Sequence, residues 1–129
     1  MKIDIKAHSY DDDHNLYSFT LTKEIKSFHG IYDMMVFTDR DNISYCYYFH
    51  DDRHIIDEVE ERDLIDIKAI MLGKALILTK ERDLIYIDMI HNKKELIEKN
   101  ILLFKITQFA DNLVDIVRMD GTIFSKKFD

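Results

Sequence analysis

Two turns in this 129-residue chain carry side chains that could hold a metal ion. The stretch HSYDDDHN supplies His8, Asp11, Asp12, Asp13 and His14, and the stretch HDDRH supplies His50, Asp51, Asp52 and His54. Imidazole nitrogen and carboxylate oxygen together suit zinc, manganese or non-haem iron, provided the backbone brings three or four of them to one point. The candidate ligands are His8, Asp12, His14, His50, Asp52 and His54. Tight turns select the same residue types, because Asp and Asn bond their own backbone and tolerate positive φ. Neither an HExxH motif nor a cysteine pair accompanies them. The turn explanation is therefore preferred, and no metal or other cofactor is expected. A metal-dependent enzyme built on these two turns is kept as an alternative.

Cys46 is the one cysteine, so no internal disulfide can form. It sits in SYCYY, where strand alternation places Ile43, Tyr45, Tyr47 and Phe49 on one face and Ser44, Cys46 and Tyr48 on the other. A catalytic thiolate needs an exposed, electropositive setting. A cysteine within a strand is read instead as half-buried and structural. The aromatic residues beside it are read as core, with Tyr48 the contact residue if its face is exposed.

The acidic stretch DEVEERD carries Asp57, Glu58, Glu60, Glu61 and Asp63. Carboxylates perform acid–base chemistry only at a fixed separation across a cleft. Neighbours on one segment form a solvated face or a docking patch, and Glu58, Glu60 and Glu61 are the expected contacts to a basic protein. No Ser-His-Asp order or nucleophile elbow is present. The three glycines, Gly30, Gly73 and Gly121, lie too far apart for a phosphate-binding loop.

Composition narrows the class further. Hydrophobic residues make up 47 % of the chain, enough for a core, and charged residues 33 %. A formal net charge of −7 disfavours phosphate backbones, so no nucleic-acid partner is expected. It suits a basic protein partner, or solubility alone. The first residues, MKIDIKAHSYDDD, lack the apolar centre of a signal peptide. No apolar run approaches the ~20 residues of a membrane span. A soluble, cytoplasmic protein with no membrane partner is expected.

The elements that must position these residues are hairpins. MMVFT, ALILT and VDIVR each end an apolar strand; DRDN, KERD and MDG follow as turns; ISYCYYF, LIYIDMI and TIFSKKF begin the next strand. Asp120-Gly121 is the best single turn signal. The pairs Ile25/Phe28, Ile67/Ile70 and Ile106/Phe109 precede the three hairpins, and their isoleucines lie 42 and 39 residues apart. That spacing predicts an internal repeat of about 40 residues. The predicted organisation is one domain, 1–129, with a partial unit 1–24, units 25–66 and 67–105, and a partial unit 106–129.

Two readings remain for the segments between hairpins. As strands, they make each unit four-stranded and the protein mainly β. As helices, they make an α+β fold, in which Asn92 and Glu95 form a capping box and Gly73 ends a helix running from about Glu58. Leu103, Ile106, Ala110, Leu113 and Val117 would then form a helical stripe. The strand reading is preferred, because isoleucine is abundant and β-branched side chains are restricted in helices.

The run IKAIMLGKALILTKERDLIYID resembles the blade repeat of β-propellers of the regulator-of-chromosome-condensation type. In that family an apolar strand ends at Leu-Thr, a short turn follows, and an aromatic strand comes next. Leu78-Thr79, Lys80 to Asp83, and Tyr86 occupy those places here. The family's glycines and tryptophan have no counterpart, and no functional residue is carried over. The resemblance implies about three propeller-like, four-stranded units of ~40 residues. Propellers have typically 4–8 blades, so dimerisation is one way to complete a ring. The strand in MKIDIKA would pair with NLVDIVRM or TIFSKKFD to join the ends. The expected function is a non-enzymatic protein-interaction module, with an acidic inhibitor of a basic protein, of the immunity type, as the alternative.

Overall fold

The fold comes from a computed structural model, which describes residues 3–10, 16–31, 33–108 and 112–129. It is mainly β, and no helix occurs among the described residues. A hairpin of β1 (Ile3–Tyr10) and β2 (Leu16–Lys23) forms a two-stranded sheet. The first long sheet is β3 (Ile25–Gly30), β4 (Met34–Asp39), β5 (Ser44–His50) and β6 (Arg53–Glu58), antiparallel in chain order. The second is β7 (Asp66–Met71), β8 (Lys74–Leu78), β9 (Leu84–Asp88) and β10 (Lys93–Glu98). The third has three strands, β11 (Ile101–Gln108), β12 (Leu113–Arg118) and β13 (Ile123–Lys127).

The three expected hairpins are β4–β5, β8–β9 and β12–β13. Their turns are one structure written in three sequences. Asp39 N–H donates to the Ile43 carbonyl at 2.9 Å and Asn42 N–H to the Asp39 carbonyl at 3.1 Å. Thr79 with Asp83 and Arg82 with Thr79 repeat these bonds at 3.0 and 2.9 Å; Arg118 with Thr122 and Gly121 with Arg118 repeat them at 2.9 Å each. The fourth residue takes positive φ each time: 62° at Asn42, 70° at Arg82 and 89° at Gly121. A turn followed by one left-handed residue reconciles a longer hairpin loop with the right-handed twist of its strands.

The segments of disputed type are strands and loops. Asn92 is not a helix cap; it takes φ 52° in the β9–β10 turn. Gly73 ends no helix; it takes φ 72° in the β7–β8 turn. The helical stripe was a coincidence of register: Leu103 pairs with Val117 across β11 and β12, and Ile106 with Val114. Ala110 and Phe109 lie outside the described residues. Ile106 falls within β11, and the buried residue that opens this strand, as Ile25 opens β3, is Ile101.

The sheets pack face to face around two cores. Met34, Val36, Cys46 and Tyr48 of the first sheet meet Ile67, Ala69, Ala75, Ile77 and Ile87 of the second. On the second sheet's other face, Ile70, Leu76, Leu78 and Leu84 meet Ile101, Phe104, Val114 and Ile116 of the third. Period-two alternation divides β8 between them: Ala75 and Ile77 go to one core, Leu76 and Leu78 to the other. The sheets form no closed barrel or ring among the described residues. The expected pairing of MKIDIKA is also corrected in part. β1 pairs with β2, and β12 has no edge to offer because β11 and β13 flank it.

Turn and core meet at Gly73. A Cβ there would stand 2.5 Å from the Ile90 side chain, whereas one on Gly121 would meet nothing within 4 Å. Both positions have positive φ. Gly121→Ala is expected to cost roughly 1–2 kcal/mol of backbone strain, and Gly73→Ala a further ~1–3 kcal/mol of overpacking. Urea unfolding of the two variants checks the order.

Candidate functional site

The HDDRH segment closes the β5–β6 hairpin. Asp51 and Asp52 are its two central residues, with φ of 51° and 58°, the signature of a type I′ turn. The register pairs His50 with Arg53 and Phe49 with His54. Phe49 and His50 are successive residues, so His54 shares the face of Phe49 while His50 belongs to the other face. His54 Nδ1 is bonded to the Tyr47 hydroxyl, and its ring lies 5.8 Å from Tyr47 and 5.1 Å from Phe49. His50 Nε2 lies 3.4 Å from the Asp51 carboxylate. His50, Asp52 and His54 therefore do not converge, and no group of three or more metal-binding side chains occurs among the described residues. Asp12 and His14 lie outside the described residues, and His8 belongs to β1, of which only the backbone is described.

Tyr48, the expected contact residue, is corrected to a core position. It is 2 % exposed, and its hydroxyl donates to Asp57 Oδ2 at 2.8 Å. Burial, and then the Asp57 hydrogen bond, raise its pKa. The same face buries Cys46 completely. Burial first, then the Asp57 charge, push the thiol up to about 12, so it is protonated at neutral pH and is no nucleophile. The face that reaches the surface is the one with Tyr47, Phe49, His54 and Ile56; Phe49 and Ile56 are exposed. On the same sheet Phe28 is 70 % exposed.

The three glutamates lie at and after the end of β6, and each has an ion-pair partner within the chain. Glu58 accepts from Arg62 at 3.2 Å. Lys94, on β10 of the second sheet, bonds Glu60 and Glu61 at 2.5 and 2.7 Å. The Lys94 hydrogen bond lowers the Glu60 pKa, and the two glutamates raise that of Lys94. A second ion pair links the next two sheets: Arg118 of β12 grips Glu98 of β10 at 2.7 and 3.1 Å and lies over the Phe124 ring. Exposed pairs of this kind add little stability, but both fix the placement of neighbouring sheets.

One residue at a sheet junction had no sequence signal of its own. Ala69 N–H, on the edge strand β7, donates to His29 Nδ1 on β3 at 3.2 Å. The two residues are 40 apart, one repeat length, which is the only trace of the contact in the sequence. The bond requires Nδ1 to be unprotonated. Burial first, and then the charge of Lys68, hold the His29 pKa below its ordinary 6.5, with Asp66 opposing them. The unfolded chain then binds more protons than the folded one between the two pKa values. Stability should be complete above about pH 6.5 and should fall as pH drops through that window, until His29 is protonated in the fold. Urea midpoints between pH 7 and pH 5 should decline for the native chain, and His29→Asn should flatten the decline. An equal slope in the variant would assign the loss to other groups.

No family model matches this chain, and no curated protein matches it.

Proposed function

We propose that the chain is a non-enzymatic protein-interaction module built of propeller-like β units, and that a second copy completes the assembly. The observation that carries this reading is the set of large apolar side chains that the three long sheets leave at the surface. The middle sheet spends both faces on its neighbours. Large apolar side chains nonetheless remain at the surface of all three: Phe28, Phe49 and Ile56 on the first, Leu96 on the second, Leu103 and Ile123 on the third. Exposed apolar side chains that form a contiguous patch favour association. The buried, protonated Cys46 supports the same reading, since it removes the one thiol from chemistry. Native mass spectrometry should give a dimer whose mass is unaffected by chelator. A monomer carrying chelatable metal would overturn the reading and return attention to the His/Asp turns.

A second reading follows from the net charge of −7: an acidic inhibitor that covers a basic protein. Its weak point is that Glu58, Glu60 and Glu61 are already paired within the chain. Long-range steering depends on the summed field rather than on single pairs. Reversing all three charges should slow association with a basic partner roughly tenfold at low salt and have little effect at high salt. An association rate that does not change would dismiss this reading.

A further inference from the structure

We propose that the cleft between strands β3 and β7 binds a small carboxylate whose apolar body is about the size of one aromatic ring. The inference goes beyond the interaction-module reading and does not depend on it. Among the described residues β3 and β7 are edge strands of their sheets, and the Ala69 N–H bond to His29 joins the two edges. Residues 26–29 of β3 line one side of the cleft, and residues 64–68, which lead into β7, line the other. Val36, Phe37 and Ile67, all buried, line its inner part. The cleft holds about 130 Å³. An apolar cavity of ~150 Å³ lined by Leu, Ile and Phe takes up benzene, so one ring is the largest rigid body this volume suits.

Volume admits the ring, and charge selects the anion. The chain as a whole is acidic, with a net charge of −7, but this cleft has the opposite balance: its lining holds two lysines, Lys26 and Lys68, and one aspartate, Asp66. Lys68 Nζ lies 3.7 Å from Asp66 Oδ1, and the same oxygen accepts the Ile67 N–H at 2.9 Å. Lys26 Nζ donates to the Asn42 side-chain carbonyl at 2.7 Å, a neutral partner that leaves the ammonium charge uncompensated. His29 accepts the Ala69 N–H through Nδ1, so its neutral ring adds no charge. A carboxylate at the mouth would therefore gain a charge-assisted hydrogen bond from Lys26. Two lining residues, Phe28 and Ile65, are apolar and exposed, and a bound ring would cover part of both. An apolar cleft with a few polar groups that fix orientation is the usual form of a small-ligand site. An ammonium ligand would be repelled by the lysines, and a neutral ring would leave Lys26 unmatched. A free aromatic acid and the C-terminal residue of a peptide ending in phenylalanine both carry the required chemistry.

Amide chemical shifts of the isotope-labelled full chain, followed while phenylacetate is added, test the proposal. Shifts should concentrate at residues 26–29 and 64–68, with a Kd of about 1 mM or below for a ligand of so few atoms. Phenylacetamide, the neutral isostere, should bind the wild-type chain roughly fivefold more weakly, and Lys26→Gln should weaken phenylacetate by a similar factor. N-acetyl-glycyl-phenylalanine separates the two sources: tighter binding than phenylacetate assigns the site to a peptide end, and weaker binding assigns it to a free acid. Shifts that scatter over the chain, no response at millimolar phenylacetate, or equal affinity for acid and amide would each overturn the proposal. The comparison of acid with amide uses the wild-type chain alone, so it decides the matter even if the variant fails to fold.

Discussion

A sheet that is covered on both sides must be apolar on both sides, and the rest of this fold is arranged around the one sheet that meets that condition among the described residues. Ala75, Leu76, Ile77 and Leu78 are all buried, although successive residues point in opposite directions. Each large aliphatic among them contributes about 1.5–3 kcal/mol of burial. Tyr48 and Cys46 are core residues because they face this sheet from one side, and Phe104, Val114 and Ile116 because they face it from the other. A sheet with an apolar face on only one side could not join two neighbours, and the stack would end there.

The turns hold the layers in step. In two of the three repeated hairpins the left-handed residue also ties its hairpin to the segment leading into the next sheet. The Asn42 carbonyl accepts from Asp63 N–H at 3.1 Å, and the Arg82 carbonyl from Ile101 N–H at 3.0 Å. Arginine is an awkward residue at φ 70°, where a β-carbon costs roughly 1–2 kcal/mol. Its guanidinium offsets part of that cost by donating to the Leu102 carbonyl at 2.8 Å, so the side chain and the main chain of Arg82 hold the third sheet together. One turn geometry thus serves as both hairpin closure and inter-sheet clip.

In this architecture polar side chains among the described residues hold strands and layers together. The carboxylates of the β6–β7 loop are engaged by Lys94, which aligns the first two sheets. The imidazole of His54 is engaged by Tyr47, and that of His29 by an edge amide of the second sheet. Most polar side chains at the layer junctions satisfy backbone and partner groups; the exception is Glu61 Oε2, buried without a hydrogen-bond partner. Among the described residues the stack leaves large apolar side chains such as Phe28, Leu96, Leu103 and Ile123 at the surface.

The sequence by itself determined the elements that depend on near neighbours. Alternation and turn chemistry are local, so the three hairpins and the ~40-residue recurrence were legible from apolar runs and from residues such as Asp120-Gly121. Where local rules allowed two answers, tertiary structure decided. Residues 93–110 admitted strands, the preferred reading, or a helix whose stripe ran from Leu103 to Val117, and pairing Leu103 with Val117 chose the strands. The alternation in SYCYYFH separated Tyr45, Tyr47 and Phe49 from Cys46 and Tyr48, but not which set lies inside. That depends on the side from which the second sheet approaches, and it placed Tyr48 in the core and Tyr47 outside. The His/Asp turn followed the same logic: its turn type was written in Asp51-Asp52, but the strand faces separate His50 from His54. Burial and convergence are properties of surfaces meeting across many residues, and a periodic sequence records the surfaces without recording what they meet.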